Sequence, residues 1–198
     1  MRPEEPIPSP AMPDPASDPP SERVLDAALR LLSARSRSVA ELRRRLLKKG
    51  FDAPEADSCL QWLLERDLLN DGAFSRALIR DRTRFSPRSP LLLERELRDK
   101  GVAAAVAEEA VETVLREEGI SPADLSAMAA RVWVRKQSAT SRKALLTHRF
   151  TPEREKARRR LYGFLARRGF LGDLARLGLE AGAEAARALE DETRSATD

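Results

Sequence analysis

Few residues in this 198-residue chain could carry covalent or metal chemistry. It has one His, His148, and one Cys, Cys59. A zinc site needs three or four well-placed His, Cys or carboxylate ligands, and a Ser-His-Asp relay needs an imidazole with partners on both sides. His148 stands beside Arg149 at the end of a helical stretch, with no second partner in view, and reads as a helix-end residue. Cys59 precedes Leu60 on an apolar helical face and reads as a small buried hydrophobe. With a single Cys there is no intramolecular disulfide. The acidic pairs Glu108-Glu109 and Glu117-Glu118 are sequence neighbours, and neighbours on a helix point about 100° apart, so neither makes a carboxylate pair. No Gly-rich phosphate loop of the Walker or GxGxxG kind is present. The expectation is a protein that is not an enzyme, with no catalytic residues, no metal site and no cofactor.

What the chain does have is charge, unevenly spread. Lys and Arg number 36 against 32 Asp and Glu, for a net +4. Residues 1–20 carry −3, residues 21–71 carry +1, and residues 72–120 are neutral. Residues 121–178 carry fourteen basic against four acidic groups, +10, and residues 179–198 return −4. The basic runs are Arg43-Arg44-Arg45 with Lys48-Lys49, then Arg80 to Arg88, then Arg135-Lys136, Arg142-Lys143 and Arg154 to Arg160, ending at Arg167-Arg168. In the first run Arg44 and Lys48 share a face opposite the leucines. In residues 121–178 the like charges repel one another, which a phosphate or acidic partner would relieve. Trp62, Trp133 and Tyr162 fall at helical spacing and read as core rather than as stacking platforms. Arg-rich helices without such platforms favour backbone or acidic-surface contact over base readout.

The elements that position these groups are helices. No stretch alternates like a strand, whereas apolar residues recur at helical spacing between Gly and Pro breaks. Val24, Leu25, Ala28, Leu29 and Leu32 mark the first helix after Ser21. Ser38 with Glu41 opens a second as a capping box, Leu42, Leu46 and Leu47 follow, and Gly50 stops it. Asp52 opens a third. Leu46, Gly50, Phe51, Leu60 and Leu64 then map onto Leu97, Gly101, Val102, Val111 and Leu115, each pair 51 residues apart. A repeat of that length is an architectural signal. A more diverged copy opens at Ser121-Pro122, has a short helix near residues 141–148, and opens a long one at Thr151-Pro152, with Arg149 in place of the stop glycine. The expected fold is all-α: an elongated array of three tandem three-helix, helix-turn-helix-like repeats at residues 21–70, 71–120 and 121–178. A disordered Pro-rich arm (residues 1–20, eight prolines) precedes it, and an acidic Ala/Glu-rich tail (residues 179–198) extends a helix and frays. No apolar run is long enough to cross a membrane and no signal peptide opens the chain, so a cytoplasmic protein is expected.

Several of these motifs resemble those of the RecX family. The run Ala28 to Ser38, with Glu41-Leu42 and Lys49-Gly50-Phe51, resembles that family's opening repeat, as does Leu68-Leu69-Asn70-Asp71 followed by Phe74. Glu96-Leu97 with Lys100-Gly101-Val102 is similar to its second repeat, and Leu161 to Phe170, ending Arg167-Arg168-Gly169-Phe170, looks like its closing signature. The family pattern has Gly-Pro and then a basic residue before the second repeat's Glu-Leu. Here Ser89 stands in for that glycine and Leu91 for the basic residue, with Arg88 the nearby charge. The resemblance implies a negative regulator of the recombinase RecA. Such a protein binds along the groove of the RecA filament on single-stranded DNA and lowers ATP hydrolysis, strand exchange and coprotease activity. DNA repair, homologous recombination and the SOS response are the implied setting. The residues expected to meet the partner are Arg135, Lys136, Arg142, Lys143, Arg158, Arg159, Arg167 and Arg168, with Arg43, Arg44 and Lys48 a second patch. A monomer is expected, with at most weak direct contact to DNA and none to membrane. The alternatives are a helix-turn-helix transcription regulator, which would need more Asn or Gln for base edges, and a protein scaffold.

Overall fold

A computed structural model describes residues 19–147 and 149–196. Residues 1–18, most of the Pro-rich arm, and His148 lie outside the described residues. Ten α-helices follow one another: α1 Glu22–Ala34, α2 Val39–Lys48, α3 Ala53–Glu65, α4 Asp71–Phe85, α5 Pro90–Asp99, α6 Ala104–Glu117, α7 Pro122–Arg135, α8 Ala139–Leu146, α9 Pro152–Ala166 and α10 Gly172–Ser195. No strand occurs among the described residues. Side-chain caps start many of the helices. Asp52, Asn70, Ser89, Ser138 and Thr151 each accept the backbone N–H three residues on. Ser121 and Asp124 form a full capping box. Glycines in the left-handed region end helices at Gly50, Gly101, Gly119 and Gly169. The chain divides into two compact units.

The smaller unit holds the described residues up to Arg35 together with Leu42–Leu69. α1 packs on α3. Val24, Ala28, Leu42, Leu46, Ala56, Cys59 and Leu63 are fully buried. Cys59 is thus the core residue its spacing suggested, and burial pushes its thiol up.

The larger unit holds Ser36–Glu41 and everything from Asn70 on. One core joins α4, α5 and α6 through Phe74, Ile79, Leu93, Leu97, Val102 and Val111. A second joins α7 to α10 through Leu125, Trp133, Leu161, Leu165 and Phe170. Ser38 Oγ accepts the Glu41 N–H (3.1 Å), while the Glu41 carboxylate takes Arg37 (3.1 Å).

Residues 179–195 extend a helix, as the sequence suggested, and they form the greater part of α10, a 24-residue helix whose main partner is α7. Its packing stripe is Ala175, Gly178, Ala181, Gly182 and Ala186, all buried. Leu174, Leu179 and Leu189 pack half-buried against the α7–α10 core, while these buried positions carry almost no apolar bulk. Their smallness is what packs: a Cβ on Gly178 would collide with Ser126 Oγ and Leu165, and one on Gly182 would lie 2.6 Å from Leu161 Cδ2. Ser126 Oγ donates to the Leu174 carbonyl at 2.7 Å, fixing the approach of α10 to α7. The short helix α8 starts earlier than expected, capped by Ser138.

Candidate anionic-partner interface

The long helix α9 carries the densest charge. Lys156, Arg159, Arg160, Gly163 and Arg167 fall at spacings that place them on one face, opposite buried Ala157, Leu161 and Leu165 only in part. That face borders a shallow cleft of about 390 Å³ lined by Trp133 of α7 and Gln137 just after it, with Arg159, Arg160, Gly163 and Arg167. A smaller cleft of about 210 Å³ shares Trp133, Gln137 and Arg160 and continues toward Lys156 and Thr140. Gly163 keeps the floor open between the arginines, and Trp133, 8% exposed, forms its apolar base. Lys156, Arg159, Arg160 and Arg167 have no ion pair among the described residues. The three guanidinium groups suit bidentate contact to phosphate or carboxylate oxygens, and the Lys156 ammonium, near Glu153 on the smaller cleft's wall, adds a point charge.

The remaining candidate residues separate by partner. Arg167 and Arg159 lie in the cleft, and Arg135 and Lys136 are exposed at the end of α7. Arg158 points elsewhere, into a depression with Arg154, Arg176 and Glu180. Arg142 is held: its guanidinium donates to Glu190 of α10 (3.1 Å) and to the Gln137 carbonyl (2.8 Å), with 17% of the side chain exposed. Lys143, 69% exposed, lies 3.7 Å from the same carboxylate. Arg168 is half-buried, its guanidinium 3.7 Å over the Phe164 ring and its Nε buried without a hydrogen-bond partner. Burial, then the charges of Arg88 and Arg167, lower its pKa from the ordinary value, though a guanidinium stays charged at neutral pH.

In the second patch Arg43 is bound by both carboxylate oxygens of Asp57 (2.6 and 2.9 Å), and that guanidinium holds the Asp57 carboxyl below its ordinary range. Arg44 and Lys48 are exposed on α2. The Arg80–Arg88 run is largely spent within the unit. Arg82 and Arg88 both bind Glu96, and Arg80 binds Glu117. Trp133 is core as its spacing suggested, whereas Tyr162 is 46% exposed and Trp62 stacks under Arg66 at 3.9 Å. Lys156 and Arg160, absent from the candidate set, are signalled only by their spacing from Arg159 and Arg167. No group of three or more His, Cys, Asp or Glu side chains among the described residues could hold a metal, and no helix is long and apolar enough to cross a membrane.

Comparison with known proteins places the chain. Residues 25–63 match the model of the RecX first three-helix domain, and residues 70–111 that of the RecX second three-helix domain. The chain is 38% identical over 157 residues to Regulatory protein RecX of Corynebacterium efficiens, covering 77% of this chain and 70% of that protein. It is 33% identical over 174 residues to Regulatory protein RecX of Halorhodospira halophila, covering 88% and 93%. The solved structure of RecX from Lactobacillus salivarius superposes with a TM-score of 0.59 at 18% identity, over 81% of this chain and 94% of that one. The helices, the two matched domains and relatives at this identity over 70% and 93% of their length make the chain a member of the RecX family of regulatory proteins.

Proposed function

We propose that this chain is a cytoplasmic negative regulator of the RecA recombinase, acting in recombination and the SOS response. It works as three tandem helical repeats, the third extended by α10. It binds along the groove of the RecA filament on single-stranded DNA, bridges neighbouring protomers, and hinders the movements that accompany ATP turnover. ATP hydrolysis, strand exchange and coprotease activity fall together. The observation that carries this reading is the α9 row Lys156, Arg159, Arg160 and Arg167, which lines two adjoining open clefts and forms no ion pair among the described residues, with Glu153 the acidic residue on the smaller cleft's wall. A row of free guanidinium groups meets an acidic protein surface or a phosphate chain, and it contains nothing that would transform a substrate. Arg135 and Lys136 extend the same basic field.

Titrating the chain into the single-stranded-DNA-dependent ATPase of its cognate RecA tests this, with a bare-DNA binding control. Inhibition well below one chain per protomer, with weak binding to bare DNA, is expected. An unchanged ATPase with tight duplex binding would instead assign a helix-turn-helix transcription regulator.

A further inference from the structure

A second concavity, built wholly within the larger unit, lies against α9 on the side turned away from the Trp133 cleft. At about 100° per residue, Arg154 and Arg158 stand about 40° apart on that helix, and Arg159, Arg160 and Arg167 stand about 100° or more round from both. Arg154 and Arg158 line the concavity together with Arg176 and Glu180 of α10. The rest of its wall is aliphatic: Leu145 of α8 with Leu179 and Ala183 of α10. Leu145 is buried and Leu179 packs half-buried against the α7–α10 core, so this wall is anchored.

The concavity measures about 170 Å³. A water takes about 30 Å³ of liquid, and pockets for drug-sized ligands begin near about 300 Å³. The space therefore suits a group about the size of one amino-acid residue rather than a nucleotide.

The guanidinium groups differ in how far they are already spent. Arg176 is held by Glu180 at 2.9 Å, one turn further along α10, and approaches Asp173 at 3.6 Å. Arg154 and Arg158 have no ion pair among the described residues, and Arg154 Nε is buried with no hydrogen-bond partner among them. Two of the three cations are thus unspent, against one carboxylate that is already paired.

Charge and wall chemistry together choose the occupant. Two unspent forks suit a planar oxyanion, gripped through paired N–H···O bonds. The aliphatic wall suits an apolar group joined to that oxyanion. A phosphate chain carries no such group. No aromatic ring among the described residues lines the concavity for a base to stack on, and Glu180 repels a run of phosphates. The Glu180 carboxylate can instead accept a backbone N–H. An acidic peptide supplies all three features: a carboxylate, an aliphatic neighbour and an N–H.

We propose that this concavity binds a short acidic segment of a partner protein, with an Asp or Glu carboxylate seated on Arg154 and Arg158 and the aliphatic residue beside it against Leu179 and Ala183. The site is separate from the α9 cleft and goes beyond the RecA reading. It stands or falls on the chain alone, whatever the chain does to a RecA filament.

The test is a titration of the ¹⁵N-labelled full chain with the end-blocked peptide Gly-Ser-Asp-Leu-Gly-Ser, followed by NMR at the arginine Nε–Hε signals and the amides of residues 176–183. Saturable shifts are expected at Arg154, Arg158 and the α10 amides, with a dissociation constant of about a millimolar. Replacing the peptide's Asp by Asn, or Arg158→Glu in the chain, should weaken binding about tenfold or more. Replacing the peptide's Leu by Ser should weaken it about threefold or more. Arg159→Glu changes the net charge equally from the other side of α9 and should leave the affinity within about twofold. Both arginines are exposed, and the amide spectrum reports that each variant is folded. Inorganic phosphate and a thymidine hexanucleotide are titrated in parallel. No saturable shift with the peptide, equal losses from Arg158→Glu and Arg159→Glu, indifference to the peptide's Leu, or binding of phosphate or the hexanucleotide at these signals as tight as that of the peptide would each overturn the proposal.

Discussion

Gly101→Ala should destabilise the larger unit well beyond Gly119→Ala, although both glycines end helices of that unit with positive φ. The values are +86° at Gly101 and +63° at Gly119. Left-handed backbone costs an alanine about 1–2 kcal/mol at either position. At Gly119 that is the whole effect, because nothing lies within 4 Å of the added methyl. At Gly101 the methyl collides with Ala40, on a segment fixed by Ser38 Oγ to the Lys100 carbonyl and by the Val39 N–H to Asp71 (2.9 Å). Overpacking adds about 1–3 kcal/mol. The expected loss is therefore about 1–2 kcal/mol for Gly119→Ala and about 2–5 kcal/mol for Gly101→Ala. Urea unfolding followed by far-ultraviolet circular dichroism, together with hydrogen exchange of amides in α4 to α6, measures both. Equal losses would refute the seating of residues 38–40 on the end of α5.

Other outcomes follow from the same geometry. Glu190→Gln should cost about 1.5–3 kcal/mol by urea unfolding, since it weakens a carboxylate hydrogen-bonded to half-buried Arg142. Gly182→Leu should lower the thermal midpoint and release α10, read as faster amide exchange over residues 172–195, because even a Cβ there meets Leu161 at 2.6 Å. Burial opposes the Glu96 carboxylate, but the Arg82 hydrogen bond and the charges of Arg82, Arg88 and Lys100 outweigh it and hold its pKa below the ordinary 4.5. Its contribution is thus fully present above pH 4.5 and is lost as pH falls through the depressed folded value, so Glu96→Gln should flatten the acid limb of the stability profile.

The order of the helices and the glycine stops were legible because caps and stripes are local. Ser89-Pro90, Ser121-Pro122 and Thr151-Pro152 each open the helix they announced. α10 was not legible as part of the core, because its fully buried positions are Gly and Ala and its leucines lie only half-buried beside them. The candidate site was legible as a charge excess but not residue by residue. Arg142 and Lys143 look free in sequence because Glu190, which binds them, lies 48 and 47 positions away in the acidic segment. Arg43 of α2 is paired in the same way with Asp57 of α3. Lys156 and Arg160 emerge only when the α9 face is set against Trp133 and Gln137. Ser89, which departs from the family's glycine, proves to be a buried helix cap seated against Gly169, while Leu91 beside it is 70% exposed.

The most direct measurement is inhibition of the cognate RecA ATPase on single-stranded DNA by the natural chain and by Arg159→Glu/Arg160→Glu/Arg167→Glu, over a range of salt concentrations. The natural chain should inhibit substoichiometrically. The triple variant, folded by circular dichroism, should need at least tenfold more protein and lose about two units of salt slope if the three groups meet phosphates. Inhibition by the variant equal to that of the natural chain, at the same salt dependence, would contradict the assignment of the α9 cleft as the surface that meets the filament.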